Sequence, residues 1–262
     1  MSSGAPDASV RSPSSAQSDN GEDRPLLGNS TTADNPDLEE SMAKAQASYA
    51  SLLNNLANRT MALAAQVGVI LFAITTWVML IEHPAGLFSY HPALQSLAIV
   101  FFGYGILVLQ PTKSPQAKRK GQNVHQIFQG LALVSILGGV AIIIFNKKLH
   151  EAAHFATWHG ILGITTVSLL VFQAIVGLLQ AYPAGQKLLG GEAKAKATWK
   201  YHRALGYTLF ILLILTPMTA VTSADWVLQN SSSLQRNVMF GGLALLGVGV
   251  LLGLNPSKMQ FR

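Results

Sequence analysis

Thr157 to Gln180 reads TWHGILGITTVSLLVFQAIVGLLQ, a run with no formal charge and a single histidine, His159, near its front. At about 1.5 Å per helical residue, a run of this length crosses the roughly 30 Å hydrocarbon layer of a bilayer. Apolar runs of similar length lie near residues 61–81, 91–110, 124–145, 201–222 and 237–254, and no Asp or Glu falls inside any of the six. Lipid offers the backbone no hydrogen-bond partners, so each run has to be helical. The expectation is an all-α membrane protein of six antiparallel transmembrane helices.

Composition points the same way, since half of the 262 residues are apolar and only 11% are charged, outside the range of soluble globular domains. There is no cysteine, which excludes disulfides, thiolate metal sites, iron–sulfur clusters and cysteine nucleophiles. The net charge of +6 divides unevenly: residues 1–59 carry eight acidic and four basic side chains, the remainder four acidic and fourteen basic. Residues 1–58 are rich in Ser, Asp, Asn and Pro without an apolar period, and read as an acidic disordered tail. Residues 59–255 are then the membrane domain and 256–262 a short C-terminal tail. No apolar stretch lies near Met1, so the first span is expected to act as the insertion signal. Within the tail, Glu22 to Leu27 (EDRPLL) resembles an acidic dileucine sorting signal, which favours a vacuolar, lysosomal or related endomembrane over the plasma membrane.

Lys and Arg in short loops set orientation. The second loop holds Lys113, Lys118, Arg119 and Lys120, the fourth Lys187, Lys194, Lys196 and Lys200, and the C-terminal tail Lys258 and Arg262. The first loop has none, the third Lys147 and Lys148, and the fifth Arg236. Even-numbered loops and both termini are therefore expected in the cytosol.

Four of the seven histidines sit just inside the start of a span: His91, His125, His159 and His202, in the second to fifth spans. An ionisable group at membrane depth is costly without a partner. Spans two and four start at the non-cytosolic face, so His91 and His159 share a depth, while His125 and His202 share the opposite one. Two imidazoles at matched depth on neighbouring helices suit the axial positions of a haem iron and leave it no open position. Two such centres would lie roughly 20 Å apart along the membrane normal. Gly160 and Gly163 follow His159, and Gly206 follows His202, leaving room on the helix face that carries each imidazole. His83, His150 and His154 fall in or beside non-cytosolic loops.

These residues resemble the cytochrome b561 family of six-helix, di-haem, ascorbate-dependent reductases. The stretches that carry the likeness are Leu87 to Pro92 (LFSYHP), Lys120 to Gln129 (KGQNVHQIFQ), His154 to Gly160 (HFATWHG) and Lys200 to Tyr207 (KYHRALGY). The resemblance spans about residues 61–254, and the His-x4-His-Gly run looks most like the b561 domain-containing branch. It implies a four-helix haem-binding core of the second to fifth helices with the first and sixth peripheral, two haem b per chain, and a homodimer. It implies the ligand pairs His91 with His159 and His125 with His202. It also implies that Lys118, Arg119 and Lys120 contact ascorbate, and that Lys200 and Arg203 contact haem propionates at the cytosolic face. On the far side the implied acceptor is monodehydroascorbate or ferric iron, with His150 or His154 as contacts. Where that branch often carries a further basic residue before the fourth-helix histidine, this chain has Trp158.

Two other readings compete. Ferric-reductase or oxidase cytochromes carry two histidines some 13 or 14 apart on each of two helices and need a flavin and nicotinamide domain, and no strand–glycine-loop–helix fingerprint lies outside the spans. A non-enzymatic metal-ion transporter built on membrane histidines would gather its ligands and carboxylates near the midplane, whereas these histidines divide between two faces with no buried acid. No residues support acyl transfer, phosphoryl transfer or nucleic-acid binding.

Overall fold

The computed structural model describes residues 36–112 and 114–254. The dileucine-like stretch Glu22 to Leu27 and the basic residues Lys113, Lys258 and Arg262 lie outside the described residues. Among the described residues there is no strand, and the α-helices are α1 (Pro36–Glu82), α2 (Tyr90–Leu107), α3 (Pro115–Leu149), α4 (Trp158–Ala181), α5 (Pro183–Leu188), α6 (Glu192–Ser223), α7 (Asp225–Asn230) and α8 (Ser233–Leu252).

By packing, the chain divides between Ser48 and Tyr49. On the N-terminal side, residues 37–48 are exposed helix, where the sequence predicts disorder as far as residue 58. The helix starts at Pro36 with Asp37 and Glu39 in its first turn, a residue order that suits a helix N-terminus. Lys44 pairs with Glu40 at 2.5 Å, one turn back. Ala, Leu, Met, Glu and Gln dominate the stretch, and all are strong helix formers. Lack of a buried face rules out a core contribution, and it does not rule out helicity.

On the C-terminal side, α1, α3, α4, α6 and α8 are long and apolar enough to cross a membrane. The remaining expected span, the second in the chain, is α2; it is 18 residues long and falls short of that standard, because Tyr90, His91, Pro92, Gln95 and Ser96 dilute its first two turns. Ser96 is buried, and its hydroxyl both donates to the Ala93 carbonyl and accepts from Trp77 Nε1–H at 2.9 Å. Ser96 thus serves the interior of the bundle. Helices α3 and α6 start nine residues before their apolar runs, at residues 115 and 192, since an apolar period marks only the membrane-buried part of a helix. Ser114 caps α3, its hydroxyl accepting from Ala117 N–H, with Pro115 in the first turn.

Helix α2 packs chiefly on α3, α4 on α6, and α6 on α8. Met239, Leu243, Leu246 and Val250 form the buried stripe of α8, spaced as one face of a helix requires. Helix α8 meets α1 across glycines. A Cβ on Gly242 would lie 2.5 Å from the Gly68 carbonyl oxygen, and one on Gly249 would lie 2.5 Å from that of Met61 and 2.9 Å from Ala65 Cβ. Small residues let membrane helices approach this closely. Val134, Phe172, Ile175 and Val248 point outward and are exposed, as a surface facing lipid should be.

Gly242→Leu should therefore lower the thermal unfolding midpoint in detergent, by the equivalent of about 1–3 kcal/mol for overpacking. Gly241→Leu, at a position with nothing within 4 Å, should leave that midpoint close to the unaltered protein's.

Candidate haem sites

Thr157 sets the start of α4: its backbone is extended and its hydroxyl accepts from Gly160 N–H. This cap puts His159 in the first turn, facing His91 in the first turn of α2. The two ring centroids are 6.2 Å apart and the planes cross at 78°. Two metal–imidazole bonds of about 2 Å plus the distance from each ring nitrogen to its centre, about 1 Å, give about that separation. Both rings line a cavity of about 260 Å³, shared with Gln95, Ile99, Gly163, Pro217 and Trp226. The donor set and spacing fit an iron held by two imidazoles, beside a mostly apolar space.

Each ring is oriented through its other nitrogen. His91 Nδ1 lies 2.9 Å from the Gly139 carbonyl oxygen, His159 Nδ1 2.9 Å from that of Thr216, and His125 Nδ1 2.7 Å from that of Gly105. A carbonyl can only accept, so Nδ1 carries the proton and Nε2 keeps its lone pair for a metal. Glutamines one turn along reinforce the arrangement: Gln95 Nε2 donates to the Ile136 carbonyl at 3.1 Å and Gln129 Nε2 to that of Phe102 at 3.4 Å. Helices α2 and α3 are thus fastened reciprocally, each supplying a histidine and a glutamine to the backbone of the other. Glycine is needed at the crossing, because a Cβ on Gly139 would lie 2.6 Å from Gln95 Nε2, and one on Gly105 would collide with Gln129 Nε2.

The other two histidines, His125 and His202, lie on α3 and α6. His202 rests against Gly177 of α4, where a Cβ would lie 2.9 Å from its Cε1. Gly206, one turn beyond His202, lies under Gln173. This ring also has a cradle that a side chain would fill, but its Nδ1 has no hydrogen-bond partner.

Of the basic residues singled out in the sequence, Lys118, Arg119 and Lys120 are exposed in the early turns of α3, before His125. Lys200 and Arg203 are half-buried on α6 and flank His202, with Lys200 Nζ 5.3 Å from the centre of the Tyr201 ring. At the far end, His154 lines the His91–His159 cavity, whereas His150 is exposed and bonds back to the Asn146 carbonyl.

The same cavity shows what the sequence reading missed. Lys147, counted there only as a loop charge, lines it alongside His159, while Trp158 is exposed. Lys147 Nζ donates to the Ala153 carbonyl at 2.6 Å, so its ammonium lies under the loop that leads into α4. That loop turns through Glu151 in a left-handed conformation, with Ala152 N–H bonded to the Lys147 carbonyl, the arrangement that usually ends a helix on glycine. The glutamine fastening had a legible signal, since His-x3-Gln occurs at both 91–95 and 125–129.

A family model described as eukaryotic cytochrome b561 matches residues 90–228, more than half of the chain and all four of these histidines. The chain belongs to the cytochrome b561 family. Family membership implies haem b binding, and the paired imidazoles and their cavity suit it. Transmembrane reductase CYB561D2 of Bos taurus is 35% identical over 149 residues, which are 55% of this chain and 65% of that protein. The Homo sapiens protein of the same name is 33% identical over 174 residues, 61% of this chain and 77% of that one. Probable transmembrane reductase CYB561D1 of Mus musculus is 27% identical over 115 residues, 42% and 50% of the two chains.

Gly177→Val would drive a side chain into the His202 ring. The expected outcome is fewer haems per chain by pyridine haemochrome assay with helical content by circular dichroism unchanged, whereas Gly130→Ala, where nothing lies within 4 Å, should retain full haem.

Proposed function

We propose that this protein carries electrons across an endomembrane from cytosolic ascorbate, through two b haems each held by two histidines, to monodehydroascorbate or ferric iron on the opposite side. The observation that carries the reading is the pair His91 and His159, whose rings sit 6.2 Å apart on separate helices with both Nδ1 atoms committed to backbone carbonyls. Haem iron ligated in this way exchanges single electrons.

The chain's own residues supply the rest. His125 and His202 hold the second group near the basic end of the bundle, and Lys118, Arg119 and Lys120 present positive charge there to anionic ascorbate. Lys200 and Arg203 flank His202 and neutralise propionates. At the other end, Lys147 and His154 offer the His91–His159 cavity a cation and a hydrogen-bonding ring. The loops rich in Lys and Arg support a reading in which the α3 and α6 starts, and both termini, face the cytosol. The active form in this reading is a homodimer embedded in lipid.

Purified protein should show a b-type spectrum that ascorbate reduces, with two haems per chain by pyridine haemochrome assay. One haem or none would overturn the reading. His125→Ala or His202→Ala should slow reduction by ascorbate in stopped flow, and His91→Ala or His159→Ala should chiefly impair transfer to an acceptor on the far side of a vesicle. The reverse pattern would invert the orientation. Changing Lys118, Arg119 and Lys120 together to Gln should raise the ascorbate concentration for half-reduction several-fold, by the equivalent of about 1 kcal/mol for lost exposed charge pairing.

A further inference from the structure

The two helix pairs repeat one antiparallel register. Fourteen residues separate His91 from Gly105 on α2 and His125 from Gly139 on α3; fourteen also separate His159 from Gln173 on α4 and His202 from Thr216 on α6. In the first pair, His91 bonds to Gly139 and His125 to Gly105. In the second, His159 bonds to Thr216, and the same register sets His202 against Gln173. Yet His202 Nδ1 is buried without a partner, and the only other buried side-chain atom without one among the described residues is Gln173 Oε1.

The side chains at the four acceptor positions account for the difference. Gly139, Gly105 and Thr216 are small, so an imidazole reaches the backbone carbonyl. Gln173 is long and 8% exposed; it occupies that approach and donates its Nε2 to the His202 carbonyl at 2.6 Å. This bond identifies Nε2 as the nitrogen and leaves Oε1 as the acceptor of the amide. A buried donor and a buried acceptor on two residues already joined by a hydrogen bond each carry the full desolvation cost until they meet.

We propose that Gln173 is the positioning residue for His202: in the haem-bound protein its Oε1 accepts from His202 Nδ1–H and takes the place of the backbone carbonyl that orients the other three histidines. A side-chain acceptor replaces a fixed backbone one at a single ligand of the four. The proposal rests on the haem-ligand reading above. Its consequence is that the potential of one haem can be tuned by substitution, because a hydrogen bond from Nδ1 raises the basicity of the metal-bound nitrogen and favours ferric iron.

Holoprotein variants Gln173→Leu and Gln173→Glu test this by redox titration, with the His125–His202 haem identified by its loss in His125→Ala. Leu removes the acceptor and should make that haem easier to reduce, by about tenfold in the equilibrium constant, or about 59 mV for one electron. Glu supplies a stronger acceptor and should shift it the opposite way by a comparable factor. The low-spin ferric resonance of the same haem should move with each variant, and the His91–His159 haem should be unmoved. Shifts in the same direction for both variants, or none in either, would overturn the proposal. Absence of haem in the unaltered protein would instead overturn the functional reading, so the two failures are distinguishable. Should the Leu variant fail to fold, Gln173→Met takes its place with the same expected sign.

Discussion

An imidazole that gives its Nδ1 proton to a backbone carbonyl has one nitrogen left and one direction in which to present it. Three of the four histidines in the core of this protein are fixed in that way, each to a carbonyl on a neighbouring helix. In an apolar interior the bond has no water to compete with it, so it sets the tautomer, the ring orientation and the local helix spacing together. Glycines at 105 and 139 follow from it, because a Cβ at either would strike the glutamine that runs beside the histidine.

The glutamines divide the core into unlike halves. On α2 and α3 the residue four beyond each histidine is Gln95 or Gln129; on α4 and α6 it is Gly163 or Gly206. Gly163 lies in the wall of the His91–His159 cavity, whereas Gly206 is covered by the Gln173 amide.

Much of this was legible in the residues. Apolar runs without acids match the five helices that are long and apolar enough to span, and two of the histidines at the heads of their runs, His91 and His159, face one another. What stayed hidden has physical causes. Exposed helix before the first span has no apolar period to mark it, so α1 begins at Pro36 rather than near residue 61. Polar residues that face inward make α2 look weak as a span. Lys147 reads as a loop cation until the fold turns it toward His159. The unpartnered nitrogen of His202 depends on which side chain lies opposite across two helices, a fact of register that no local pattern records.

The reciprocal fastening of α2 to α3 also bears on biogenesis. Every bond in it joins helices that are consecutive in the chain, so this hairpin can assemble as soon as its second half has been inserted, and such local contacts form quickly. The α4–α6 hairpin is bonded across as well, by His159 to Thr216, Gln173 to the His202 carbonyl and Gln180 to Thr198, but one of its two rings is still unanchored. A newly made chain would thus present one jaw with both rings fixed and another in which a single ring waits to be fixed.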